Sequence, residues 1–138
     1  MQRTAVILAL ILASGVVVGM IGHHVLQAQL AAATRTGLLK TDLVGIEGKE
    51  AVMLTVEGGP GLVGEKHYHP GYEFAYVLEG SLVMEIEGKP PVTLKAGDTF
   101  HIPPKVVHRG NNASTTAPYK VLVFGVFEKG QPDTTPVP

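Results

Sequence analysis

The sequence predicts an all-β fold, a sandwich or a barrel, and three observations carry that prediction. Beyond Leu38 the apolar residues fall into short runs separated by Gly, Pro and Asn. The runs are rich in Val, Tyr, Phe and Thr, and Met84-Glu85-Ile86-Glu87 alternates with a period of two. The breaks carry turn chemistry: Gly58-Gly59-Pro60-Gly61, Pro70-Gly71, Glu79-Gly80, Glu87-Gly88-Lys89-Pro90, Ala96-Gly97-Asp98 and Gly110-Asn111-Asn112. Short strands recurring at such spacing belong to a sandwich or a barrel.

The chain of 138 residues has room for one compact domain, and its first thirty or so are of a different kind. Met1-Gln2-Arg3 precedes an uncharged apolar run from Thr4 to Gly22, and Ala28 to Ala33 supply small residues after it. Residues 1–33 therefore read as a secretory signal cleaved near Ala28 to Ala33, which places the mature protein in the periplasm or outside the cell. The alternative is an uncleaved anchor, because the run is long enough for about 20 residues of bilayer; the protein would then be tethered through residues 4–22, facing outside the cytoplasm. The spacing of Gly15 and Gly19 adds little to either reading.

Residues 34–48 form an N-terminal arm in which Arg35 to Leu43 carries a short helical turn. The barrel domain is expected over 49–128. Its strands are Ala51 to Val56, Phe74 to Leu78, Leu82 to Ile86, Val92 to Leu94, Thr99 to Ile102 and Tyr119 to Phe127. Residues 129–138, with three prolines, form a flexible tail.

Composition excludes several functions. The chain has no cysteine, so a disulfide framework, a thiol nucleophile and a thiolate metal site are all ruled out. Eleven basic and twelve acidic residues, spread without runs, argue against a nucleic-acid partner. A metal here must be held by nitrogen and oxygen.

His67 and His69 are two apart, so on a strand both imidazoles stand on one face and can straddle one ion. Pro70-Gly71 bends the chain, and Glu73 begins the next strand close enough to add an oxygen. His108 follows Ile102-Pro103-Pro104, where a strand has ended and the chain turns.

These residues stand in two spaced patterns: Gly61, His67, His69, Glu73 and Gly80, then Gly97, Pro103, His108 and Asn112. In both the chain resembles the cupin superfamily, over roughly Ala51 to Phe127. The resemblance implies a double-stranded β-helix, a jelly-roll barrel, with one divalent transition metal held inside it by His67, His69, Glu73 and His108. Imidazole and carboxylate suit Fe, Mn, Ni, Cu or Zn, and four protein ligands leave one or two positions open. One fixed position departs from the pattern, since Lys105 stands where the family has glycine. Either Lys105 takes a positive φ at a cost of about 1 kcal/mol, or the turn keeps a negative φ and His108 shifts slightly.

The remaining polar and aromatic residues take plainer roles. His101 is a solvated strand histidine, and His23 and His24 fall in the removed or unstructured leader. Tyr68 points away from the metal face, and Tyr72, Phe74 and Tyr76 lie opposite Glu73, where they pack a sheet face or pair the barrel into a homodimer. Asn112-Ala113-Ser114 fits a glycosylation acceptor, but Asn112 is read as a structural turn residue, and so is Asp98. The functional expectation is an exported metal-dependent enzyme, dioxygenase-like or an isomerase or decarboxylase, on an oxygen-bearing small molecule. Glu73 is its candidate catalytic residue, as ligand and proton acceptor. The alternative is a non-catalytic metal or small-molecule binding protein.

Overall fold

The computed structural model describes residues 32–138. The signal or anchor reading of the leader, with His23 and His24, lies outside the described residues. Among the described residues ten strands are formed: β1 (Thr34–Asp42), β2 (Lys49–Gly58), β3 (His67–Tyr68), β4 (Tyr72–Glu79), β5 (Ser81–Ile86), β6 (Val92–Lys95), β7 (Thr99–Ile102), β8 (His108–Asn112), β9 (Tyr119–Glu128) and β10 (Thr135–Pro136). They build two five-stranded sheets, ordered β1-β2-β9-β4-β7 and β10-β3-β8-β5-β6, with every pair antiparallel. This is the jelly-roll architecture expected from the sequence.

Period-two burial explains why these residues form strands. In β9 every other residue from Tyr119 to Phe127 is buried, and in β4 Glu73, Ala75 and Val77 turn inward while Tyr72, Phe74 and Tyr76 are exposed. The inner faces of both sheets close over one core that includes Leu54, Val77, Leu82, Met84, Ile102, Val121 and Phe127. Each of these large side chains contributes roughly 1.5–3 kcal/mol by leaving water.

Three expectations are corrected. The helical turn expected at Arg35 to Leu43 is strand β1, paired with β2 along its length. All nine of its residues are exposed, so it never had the one-sided burial that writes a strand pattern into sequence. The turn expected at Gly110-Asn111-Asn112 is the end of strand β8. Its outer residues Arg109 and Asn111 bond Glu85 at 2.9 and 2.7 Å, and Gly110 lies against Leu82, so neighbours override a weak strand propensity. The tail expected to be flexible folds back instead. Thr135 and Pro136 pair with Tyr68 and His67, a contact that tertiary structure alone creates.

Candidate metal centre

Register brings the histidines together. His67 on β3 and His108 on β8 are direct cross-strand partners, which sets their side chains on the same inner face. His69 follows β3 with the same parity, and Pro70-Gly71 then carries the chain across to the other sheet. Only glycine fits at position 71, where a Cβ would lie 1.9 Å from the Val126 carbonyl oxygen. That crossing delivers Glu73, buried on the inner face of β4, to the opposite wall of the site.

His67, His69 and His108 each offer a ring nitrogen within 4.8 Å of the others. Their ring centroids are 4.4 to 5.1 Å apart. Each Nδ1 is already committed: His67 to the Glu65 carbonyl at 2.8 Å, His69 to the Asp133 carbonyl at 2.6 Å and His108 to the Val106 carbonyl at 2.9 Å. A carbonyl only accepts, so Nδ1 carries the proton in all three rings and each Nε2 lone pair is left for another partner. One fixed tautomer in three converging imidazoles is the arrangement a metal ligand set requires.

Glu73 completes the wall. Its Oε2 lies 2.8 Å from His69 Nε2, yet that buried nitrogen makes no hydrogen bond. Two electron-pair donors at this separation need a cation between or beside them. Ligands at about 2.1 Å in cis positions on one ion stand about 3 Å apart, so the pair fits a shared metal. Lacking an ion, a proton does the same work. Burial works against charge on His69, but contact with the Glu73 carboxylate outweighs it and raises the imidazole above its ordinary value. Burial likewise opposes ionisation of Glu73, and His69 overcomes it, holding the carboxyl below the usual range. His67 is lowered and His108 is pushed down to about 4, both chiefly by burial. Those two rings are neutral at physiological pH and ready to ligate.

The structure thus brings the three predicted histidines together and sets Glu73 against one of them, His69. Lys105 takes a φ of 61°, the first of the two alternatives, and its amide donates to the His69 carbonyl at 2.9 Å. His108 lies with His67 and His69. Asn112 is structural: its amide nitrogen reaches the carbonyls of Gly59 and Ala117 at 2.8 and 2.9 Å, while its oxygen accepts from the Ser114 amide at 2.8 Å. Asp98 accepts from the Lys95 amide as a turn residue, and His101 is exposed against Phe74.

Four contributors were missed from sequence. Asp133 orients His69 through a backbone carbonyl, which leaves no residue-type signal. Phe127 stacks on His69 with centroids 5.5 Å apart and planes 19° from parallel. Gly125 makes room for that ring, because a Cβ there would lie 2.2 Å from it. A glycine inside an apolar strand was the available clue. Arg35, whose charge opposes protonation of both His67 and His69, belonged to a segment read as helical.

Comparison with known proteins agrees with this fold. The family profile described as the Cupin domain matches residues 52–125. A 3-hydroxyanthranilate 3,4-dioxygenase from Xanthomonas euvesicatoria pv. vesicatoria is 30% identical over 69 residues, covering 48% of this chain and 39% of the relative. The chain thus spans about two fifths of that relative's length. A protein with a double-stranded β-helix domain from Klebsiella pneumoniae superposes with a TM-score of 0.62 at 21% identity, over 79% of this chain and 87% of the other. Oxalate oxidase in complex with the substrate analogue glycolate superposes with a TM-score of 0.60 at 26% identity, over 77% of this chain and 55% of its own.

Proposed function

The chain belongs to the cupin domain family, and on that premise we propose that it is a metal-dependent enzyme of the dioxygenase type, acting on a small oxygen-bearing organic molecule. The observation that carries this reading is the convergence of three tautomer-fixed imidazoles with a buried carboxylate whose neighbouring Nε2 has no hydrogen bond. A closed structural site would use four ligands tetrahedrally, whereas these donors leave positions open on a five- or six-coordinate ion. The resemblance to 3-hydroxyanthranilate dioxygenases over 48% of this chain supports the choice of reaction class.

The residues divide the work. His67 and His108, neutral and held by carbonyls, fix the position of the ion. His69 and Glu73, 2.8 Å apart, would supply the adjustable edge of the ligand set, because contact between them shifts the charge of both. A divalent transition ion bound there supplies Lewis-acid polarisation and a template for substrate oxygen. Glu73, 6% exposed, is placed to hold a substrate proton at its carboxylate oxygen during turnover. The surrounding core side chains exclude water from that exchange.

The proposal extends to location and assembly. The apolar run at residues 4–22 supports export or an external tether. Exposed Tyr72, Phe74 and Tyr76 on the outer face of β4 support a homodimer. Amino-terminal sequencing of native protein and light scattering test these two points.

The central test is metal content and turnover together. Protein purified without added metal should carry one transition ion per chain, and His67→Ala and His108→Ala should lose it. Loaded protein should consume dioxygen with an enolic, phenolic or dicarbonyl compound, and Glu73→Gln should slow that reaction even where metal remains. Tight ligand binding with no metal-dependent turnover across such a panel would make the protein a binder instead.

A further inference from the structure

An open cleft of about 470 Å³ lies between β1, the inner face of β2 and the C-terminal tail, lined by Arg35, Leu39, Lys40, Val52, Leu54 and Asp133 among others. This is within the size range of small-molecule sites. It adjoins the metal centre through the tail: the Asp133 carbonyl bonds His69, and Thr134 Oγ1 lies 3.5 Å from the same Nδ1.

Backbone irregularity decides what faces the cleft. Arg35 and Lys40 are five apart, so on a regular strand they would point to opposite faces. β1 carries a bulge between Gly37 and Leu39, and the added residue reverses the parity beyond it. Arg35 is thereby paired with Val56, Gly37 with Leu54 and Lys40 with Val52, three residues that share the inner side of β2. Across the sheet the last of these rows continues through Gly125 to Glu73. Both cations thus stand on the sheet face that bears the metal-site carboxylate, and Gly37 leaves the space between them clear.

The two cations differ in what they hold. Lys40 Nζ lies 2.8 Å from Glu50 and 3.7 Å from Asp133, so its charge is matched within the protein. Arg35 faces no carboxylate at salt-bridge distance among the described residues. One of its five donors goes to Thr134 Oγ1 at 3.0 Å, which steadies the guanidinium two short contacts from the His69 ring and leaves the other donors unused. A guanidinium fork matches a carboxylate in shape and charge, and Val52 and Leu54 offer apolar surface on the same face.

We propose that Arg35 is the carboxylate-binding residue of this site, and that the ligand is a small organic acid whose apolar body lies along Val52 and Leu54 while its other end reaches the metal centre. The proposal rests on the metal-site reading for the second half of that statement only. Arg35 selects the acid and the histidine cluster receives its reactive end.

The test uses benzoate and benzamide, which share a body and differ in charge, titrated calorimetrically into the full-length protein as purified and after chelation. Metal content is measured on each sample. The protein should bind benzoate at least tenfold more tightly than benzamide, and raised salt should narrow the gap. Arg35→Gln should abolish the preference and Arg35→Lys should retain part of it. Both variants should fold, because Arg35 is exposed on an edge strand, and the comparison is made at the metal content measured for each. Lack of saturable benzoate binding at millimolar concentration, or an equal preference in Arg35→Gln, overturns the assignment. If the preference disappears on chelation and is untouched by Arg35→Gln, the ion takes the carboxylate: the Arg35 role falls and the metal centre stands. If it persists in protein that never holds metal, Arg35 stands and the metal reading falls.

Discussion

Gly125→Ala is the sharpest probe of how the barrel holds its ligands. The new methyl carbon would lie 2.2 Å from Phe127 Cζ and 2.3 Å from Cε2, against the roughly 3.5–4 Å that carbon atoms prefer. The ring must therefore retreat by about 1 Å or more, and Phe127 is 1% exposed with no free space to enter. Overpacking of this kind costs about 1–3 kcal/mol. Removing a strand glycine returns roughly 0.5–1 kcal/mol, so the net loss is about 1–2 kcal/mol, or a melting temperature lower by very roughly 5–15 °C for a domain of this size. Displacing Phe127 also removes the stacked support of His69, and metal affinity should weaken by about tenfold. Thermal unfolding of chelated protein and a metal titration measure the two effects. The decisive control is Phe127→Leu, which removes the clashing ring. In that background Gly125→Ala should cost far less, a coupling readable as a double-mutant cycle. Equal costs in both backgrounds, or a more stable Gly125→Ala protein, would refute the reasoning.

Truncation after Gly130 removes the carbonyl that orients His69, and metal affinity should drop by about ten- to a hundredfold while the far-ultraviolet spectrum keeps its β signature. Asn112→Ala strands the carbonyls of Gly59 and Ala117 and the Ser114 amide, and should lower stability by about 1–3 kcal/mol in denaturant titration without changing metal content. Lys105→Gly relieves a positive φ worth about 1 kcal/mol, part of it offset by the freer unfolded chain, so the variant should be at least as stable as the parent in the same titration. In chelated protein, His108 sits at about 4 when folded and near 6.5 when unfolded, so the unfolded state binds the extra proton between those values. Its contribution, up to about 3 kcal/mol, is complete above the unfolded value and is lost as pH falls toward 4. His69, raised by Glu73, acts in the opposite sense, contributing below its unfolded value and fading as pH rises through the folded one. Denaturant titrations should accordingly show metal-free stability greatest near the ordinary histidine pKa; a flat acid limb would contradict the burial of His108.

How much of this was legible in sequence depends on whether a residue's role is written locally. Six strands were: β4, β5 and β9 bury one face and leave alternating side chains as the trace, while β2, β6 and β7 show as short apolar runs between turn residues. That His67 and His69 share a face was legible from strand parity, and the spaced motifs added His108, which the structure sets beside them. Other roles exist only once the chain is folded. β1 is exposed on both faces, so nothing in its residue order distinguishes it from a turn. β8 is polar because Glu85 and Leu82, more than twenty residues back, supply its partners. The tail acts through a backbone carbonyl, which any residue type provides. The inward turn of Arg35 and Lys40 depends on a bulge whose position is set by pairing with β2. Side-chain alternation against a buried face is a local property and survives in the sequence. Register, bulges and main-chain donors are properties of strand pairs, and only the closed barrel determines them.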